Sequence, residues 1–267
     1  MTTINVCVAG ATGWTGRPIA EAVLASDDLV LRSAVSRSTA GQDLGVAWGG
    51  EPIGVAVHAS VADALDDVHV LVDYTSDEAV RGNTLAALER GVAVVIGTSG
   101  LSAADFTDME RAATEAGVGV VASGNFSLTA AMAQAAALLV ARHLPYREII
   151  DYASAGKPDA PSGTARELAE RLGEVRPNSV DVPVEQTRGH VEARGTTVAG
   201  TQVHSLRLPS FVVSTEVLFA LPDERLSIRH DAGGTPVPYV GGTLLAVRAV
   251  GGRVGLTRGL DTLLLAN

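Results

Sequence analysis

Lys157 stands a short loop ahead of Asp159-Ala160-Pro161-Ser162-Gly163-Thr164, and the helical pattern ARELAERL begins at Ala165. The segment REIIDYA before it reads as a strand, and Ser162 reads as a helix N-cap whose oxygen takes a backbone N–H of the first turn. A carboxylate could accept hydrogen bonds from the N–H groups of that turn and from the Thr164 hydroxyl. Lys157 could reach the same anion, or polarise a C=N or C=O group by donating to it. An ordinary capped helix beside a solvated lysine has the same spacing, so the residues alone leave both readings open. Ser154 lies close enough in sequence to join such a site. Between Ala153 and Ala165 there is no histidine, cysteine or tyrosine, so the source of a proton is an open question.

A second chemical feature opens the chain. In VCVAGATGWTGRPIAEAV, the loop Gly10-Ala11-Thr12-Gly13-Trp14-Thr15-Gly16 joins an apolar strand to a helix. Gly10 permits the tight turn, Gly13 lets backbone approach a pyrophosphate, and Gly16 lets helix and sheet pack closely. The pyrophosphate would sit on the helix N-terminus, where unpaired N–H groups and the dipole favour an anion. A purely structural strand-to-helix turn is the alternative. The next strand ends in AVSRST, with Ser36 and Arg37 where an acidic residue would hold a ribose 2′-hydroxyl. Arginine there favours a 2′-phosphate, hence NADPH over NADH, although a loop arginine can equally be a solvated surface residue. Two small-residue loops, Gly97-Thr98-Ser99-Gly100 and Ser123-Gly124-Asn125-Phe126-Ser127, follow further apolar strands and should face the same crevice.

These loops need a scaffold, and the first half of the chain supplies it. INVCVAG, LVLRSAVS, HVLVDYT, VAVVIGTSG and VGVVAS alternate with helical patterns, as in a parallel sheet with helices on both faces. Near-continuous apolar strands fit burial on both sides. The expected fold is therefore α/β, a Rossmann-type doubly wound parallel sheet. From about Asn125 the texture changes to a long helix, a strand, a second helix and three extended segments. ALPDERLSIRH carries a Pro-Asp turn between extended runs. This second domain reads as α+β, built on a mixed or antiparallel sheet. The expected division is residues 1–124, completed by a helix-like tail over 236–267, and residues 125–235 as a substrate-binding and oligomerisation domain.

Composition removes several function classes. The 267 residues are 46% hydrophobic and 19% charged, enough for a sizeable core. A formal net charge of −10 gives no broad footprint for nucleic acid or an anionic membrane. The single Cys7, inside an apolar run, excludes an internal disulfide framework and a cysteine-based zinc site, and no metal site is expected. LTAAMAQAAALLVARHL over 128–144 is alanine-rich and interrupted by Gln134, and reads as a buried helix instead of a membrane span. No signal peptide is evident, so the expected location is cytoplasmic.

KPDAPSGTA at 157–165 resembles the K-x-D-A-P-S-G-T-A motif of the dihydrodipicolinate reductase family, also called 4-hydroxy-tetrahydrodipicolinate reductases, of bacterial lysine biosynthesis. VAGATGWTGRPI, VDYTSDEAVRGN, VIGTSGL, NFSLTAAM and VHSLRLPSFVVSTEVLFALPDERLSIRHDA are similar to that family's further segments, in order. The resemblance implies hydride transfer from a nicotinamide cofactor, NADPH preferred or NADH, to a small cyclic carboxylated imine. It implies Lys157 at the catalytic lysine position, and Gly163 and Thr164, with Ser154 and Ser162 beside them, on a substrate carboxylate. It places Gly10 to Gly16, Arg37, Gly97 to Ser99 and Ser123 to Phe126 on the cofactor. It also implies a homotetramer assembled through the second-domain sheet.

The resemblance fails at one place that matters. Ahead of its lysine the family carries E-x-H-H-x-H-K, with the first histidine as expected proton donor and the second on substrate. Here the run is DYASAGK, with Ala153, Ser154 and Gly156 at the three histidine places. After IRHDA, Gly233, Gly234 and Thr235 stand where an arginine is typical. Lys157, Tyr152, Ser154, His190 or water remain as proton sources, while His204 and His230 lie in extended runs and read as structural. The alternatives to the family reaction are an imine reductase or amine dehydrogenase with another substrate, and a catalytically silent NADPH-binding sensor.

Overall fold

A computed structural model describes residues 3–266. It divides into two compact units, one running to Leu128 and resuming at Pro236, the other spanning Thr129–Thr235. The first crossing falls four residues beyond the expected 124/125 boundary. The cause is packing: the Phe126 ring is fully buried and lies 6.3 Å from the Tyr74 ring, both inside the first unit.

The first unit contains, in order, β1 (Ile4–Ala9), α1 (Gly16–Leu24), β2 (Leu29–Val35), α2 (Leu44–Ala47), β3 (Val57–His58), β4 (Val70–Asp73), α3 (Asp77–Glu89), β5 (Ala93–Ile96), α4 (Ala103–Ala116) and β6 (Gly119–Ala122). The second holds α5 (Leu128–Ala141, from Thr129 onward), β7 (Tyr146–Ala153), α6 (Gly163–Val175), β8 (Thr196–Val198), β9 (Thr201–Arg207), β10 (Val213–Leu221) and β11 (Glu224–Asp231). The chain then returns as α7 (Val237–Val250), β12 (Gly255–Arg258) and α8 (Leu260–Leu264).

In the first unit seven parallel strands are ordered β12-β6-β5-β4-β1-β2-β3. Chain order reverses between β1 and β4, which opens a crevice beyond their carboxyl ends where such sheets bind ligands. The apolar runs VLVD, AVVI and GVVA of β4, β5 and β6 are buried at every position, as strands covered on both faces must be. The tail is not wholly helical. GLTR forms β12 beside β6, because a four-residue edge strand leaves too short a period to stand out from the helical pattern around it.

The second sheet is mixed, ordered β11-β10-β7-β9-β8, with β10 antiparallel to β7 and β7 parallel to β9. Burial along β7 alternates residue by residue, so one face of this sheet is covered and the other is not. On the covered face Ile149, Val203, Val217 and Phe219 pack against Ala137 and Ala141 of α5 and Leu168, Ala169 and Leu172 of α6. The segment at 128–144, expected to be a buried helix, is a helix over Leu128–Ala141 that is buried along one stripe. Met132 and Leu139 of α5 are 42% and 58% exposed, since a helix lying on a sheet covers a single face. Among the described residues no helix is long and apolar enough to cross a membrane.

Candidate active site

The glycine loop lies directly after β1, at the reversal of strand order. Gly10 has φ +83°, a left-handed conformation, and a Cβ there would come within 2.3 Å of the Tyr74 carbonyl oxygen. A Cβ on Gly16 would come within 2.1 Å of the Gly10 carbonyl oxygen. Both positions therefore exclude side chains, and they hold the turn tight against the first turn of α1. Trp48, from α2's C-cap, fixes the loop from outside by donating Nε1–H to the Ala11 carbonyl at 3.0 Å. Arg17 lies over the Trp48 ring at 5.4 Å, and Trp14 stays 55% exposed with its ring edge toward Tyr239.

At the end of β2, the Thr12 and Ser36 hydroxyls lie 2.9 Å apart, and Ser36 and Ser38 lie 3.3 Å apart. Arg37, next to Ser36 in the chain, is exposed. The hydroxyl cluster adjoins the glycine loop through Thr12.

The two small-residue loops are braced by polar groups that the sequence reading did not single out. Asp73, fully buried at the end of β4, accepts from Thr75 N (2.9 Å), Thr75 Oγ1 (2.7 Å), Asn83 Nδ2 (2.8 Å) and Thr98 Oγ1 (2.8 Å). It thereby ties the Gly97-Thr98-Ser99 loop to the end of β4. The Ser123 hydroxyl donates to the Asn125 carbonyl, and the Asn125 side chain accepts from Ser127 N, so the 123–127 loop is closed on itself. Tyr74 is half-buried beside these loops with its hydroxyl 2.9 Å from Thr243 Oγ1, and desolvation raises its pKa. These loops and the glycine cradle have the shape and donors that a dinucleotide requires.

In the second unit, α6 starts at Gly163 with Ser162 as its N-cap, whose hydroxyl accepts from Ala165 N at 3.3 Å. No acidic residue occupies the first turn of α6 itself. Ser162 N in turn donates to Asp151 Oδ2 at 2.8 Å. Asp151, fully buried, also accepts from Ser205 Oγ (3.0 Å) and Arg207 Nη2 (2.9 Å). The same Arg207 nitrogen holds the Asp159 carbonyl at 2.6 Å. Lys157 Nζ lies 2.8 Å from Asp159 Oδ1, and Lys157 N donates to the Ser154 carbonyl. The motif is thus a braced loop in which the lysine, the helix start and the strand end share one network.

Strand register sorts the proton-donor candidates. Ile149, Asp151 and Ala153 point to the covered face with α6, while Tyr152 points to the opposite one. There its ring packs on Phe211 (5.1 Å) and Arg229 (4.8 Å), and its hydroxyl donates to Glu216 Oε2 at 3.1 Å. Burial first, then the hydrogen bond to Glu216, raises the phenol pKa. Tyr152 is therefore a poor acid on the wrong face. His204 is on that face too, 2.8 Å from Glu148, and His190 is exposed at the start of a single 3-10 turn. His230 differs: it registers opposite Thr215 on the covered face and lines a small cavity with Thr164. A larger cavity of about 460 Å³, between Tyr146, Glu148, Asn178 and Arg194, contains none of the expected site residues.

Family models match the two halves of the chain in turn: "Dihydrodipicolinate reductase, N-terminus" over residues 4–126 and "Dihydrodipicolinate reductase, C-terminus" over 124–264. The 4-hydroxy-tetrahydrodipicolinate reductase of Moorella thermoacetica is 36% identical over 264 residues, 98% of each chain. That of Thermosynechococcus vestitus is 35% identical over 271 residues, again 98% of each. A solved dipicolinate-bound dihydrodipicolinate reductase from Paenisporosarcina sp. TG-14 superposes with a TM-score of 0.76 at 25% identity, covering 98% of this chain and 99% of that one. With both halves matched and relatives aligned end to end, the chain belongs to the dihydrodipicolinate reductase family.

Proposed function

We propose that the chain is an NAD(P)H-dependent reductase of a small cyclic carboxylated imine, with 4-hydroxy-tetrahydrodipicolinate, named for its relatives, as the first substrate to test. The observation that carries this reading is the braced KPDAPSGTA segment: a Ser162-capped start to α6 with no acidic residue in its first turn, and Lys157 in the adjoining loop. A substrate carboxylate would take the Thr164 hydroxyl and the N–H groups of Gly163 and Thr164, beside the Ser154 and Ser162 hydroxyls. Lys157 would exchange Asp159 for the substrate and donate to the ring nitrogen or to a carboxylate, drawing electron density from the carbon to be reduced.

The cofactor belongs in the first unit. Gly10 to Gly16 would hold the pyrophosphate, Arg37 with the Thr12, Ser36 and Ser38 hydroxyls the 2′-phosphate, and the Gly97–Ser99 and Ser123–Phe126 loops the remainder, which favours NADPH over NADH. Bound reduced nicotinamide supplies the hydride.

The acid–base machinery is altered from that of the family motif. Ala153 has no proton to give, and Tyr152 faces away, which leaves Lys157, Ser154 or solvent to protonate the product. General acid catalysis by a positioned side chain is worth about 10²–10⁴-fold, so the reduction is slowed without being abolished. A cytoplasmic homotetramer belongs to the same reading.

The test is purified protein with NADPH and freshly generated 4-hydroxy-tetrahydrodipicolinate, followed by loss of nicotinamide absorbance, against a panel of small imines. Turnover of the dicarboxylate above every uncharged imine is the expected result. Turnover only of uncharged imines would replace the substrate, and NADPH binding without any turnover would make the chain a sensor.

A further inference from the structure

The covered face of the second sheet is apolar along one cross-strand row and polar along the next. Val203, Ile149, Val217 and Ile228 lie in register across β9, β7, β10 and β11. Two residues further along β7, the row becomes Ser205, Asp151, Thr215 and His230. The Ser205–Asp151 half of it is used by Arg207 and the N-cap of α6. The Thr215–His230 half borders a cavity of about 30 Å³, whose polar lining is Gln134, Thr164, Thr215 and His230. About 10–15 Å³ suffices for a water, so the cavity has room for a small polar group but not for a ring.

Thr215 is only 7% exposed, and its Oγ1 has no hydrogen-bond partner, although a buried hydroxyl without one costs about 1–3 kcal/mol. Such a group beside the start of α6 points to a ligand oxygen. His230 reaches the same cavity with one ring nitrogen 3.0 Å from Thr129 Oγ1.

We propose that Thr164, Thr215 and His230 together form a carboxylate subsite, in which the His230 imidazole takes up a proton as a dicarboxylate ligand binds. The inference rests on the reading of Thr164 given above and adds to it a source of positive charge that the lost histidine run no longer provides. The imidazole starts neutral, because burial lowers its pKa against the smaller opposing effect of Asp231. Around it, β10 presents Thr215 and α5 presents Thr129, neither ionisable in this range. From α6, Glu167 is bound by Gln134 at 3.1 Å and has Arg171 at 3.9 Å. An incoming carboxylate is therefore the charge that changes on binding, and it draws the proton onto His230.

The experiment is calorimetric titration of the NADPH-loaded protein with pyridine-2,6-dicarboxylate, from about pH 5.5 to 8.5, in buffers of differing ionisation enthalpy. Wild type should take up close to one proton and bind more tightly by at least about fivefold between the alkaline and acid ends, within the tenfold per pH unit that one linked proton allows. His230→Asn should abolish both the uptake and the slope while leaving residual binding, and Thr215→Val should weaken binding without changing the slope. Uptake and slope unchanged in His230→Asn would overturn the subsite, as would tight wild-type binding with no proton uptake, a result that needs no folded variant. Absence of dicarboxylate binding at every pH would instead remove the carboxylate reading of Thr164, and this subsite with it.

Discussion

Arg207 and Asp151 form a buried ion pair at 2.9 Å, and through it the end of β7 is fixed to the loop that carries Lys157. Arg207 touches both Asp151 and the Asp159 carbonyl, while Asp151 receives the N–H of the α6 N-cap. Arg207→Met strands a buried carboxylate, and breaking such a pair from one side costs about 3–5 kcal/mol. Urea unfolding should show that loss. Asp151→Asn/Arg207→Met should recover part of it, because no charge is then left unpaired. In the single variant, KM for a carboxylated imine should rise while the Kd for NADPH is unchanged, since the brace lies wholly in the second unit.

Acid should loosen the cofactor loop before the protein unfolds. Asp43 caps α2 and accepts from Gly45, Ile53, Gly54 and Val55 N–H groups at 2.7–3.1 Å. Backbone donation, from Ile53 first, holds its carboxyl below the ordinary value of 3.8. Because the folded value is the lower one, its contribution is whole above the unfolded value and is lost as pH falls below it. Trp48 sits at the end of this capped turn and bonds Ala11. In a Trp14→Phe background, indole emission should shift below about pH 4, and Asp43→Asn should show the shifted emission at neutral pH. Emission independent of pH down to global unfolding would break the link between Asp43 and the glycine loop.

Local chemistry was legible in the sequence wherever chemistry and chain neighbours coincide. The glycine loop, the Ser162 cap and the two small-residue loops each follow a strand whose apolar run announces it, and all stand where that pattern puts them. Arg207 was not legible, because its partner Asp151 is brought to it only by the parallel pairing of β7 with β9. Its signal was faint: in VHSLRL, Val203, Ser205 and Arg207 share one strand face, and an arginine on the apolar face of a strand needs buried acceptors, which an acid or backbone carbonyls can supply. The cavity beside His230 was hidden for the same reason, since register across β7, β10 and β11 alone reveals it. Tyr152 is a donor candidate by sequence distance alone, and the alternation of β7 puts it on the other face.

Cofactor choice should depend on the end of β2. Arg37→Ala removes the exposed cation next in the chain to Ser36, whose hydroxyl lies 2.9 Å from that of Thr12 and 3.3 Å from that of Ser38. Hydrogen bonds to a charged group are worth about 1.5–3 kcal/mol, so the Kd for NADPH should rise by about 10- to 100-fold. NADH, which lacks the 2′-phosphate, should lose less than about threefold on the same scale. Equal losses would place Arg37 in solvent.

Lys157 and Thr164 should separate kinetically. If the Thr164 hydroxyl holds a carboxylate in ground state and transition state alike, Thr164→Val raises KM by about tenfold or more and leaves kcat within a few-fold. If Lys157 acts on the electrons of the reacting bond, Lys157→Ala lowers kcat by about 10²–10⁴-fold and changes KM less. Lys157→Arg keeps the charge but replaces a compact ammonium with a planar fork, and should recover binding without recovering kcat. Neither Ala nor Val variant should alter NADPH affinity. The discriminating measurement is the Lys157→Ala kcat on a carboxylated imine. A value near wild type would make the 2.8 Å contact between Lys157 and Asp159 a structural ion pair, and would transfer the burden of activation to the start of α6.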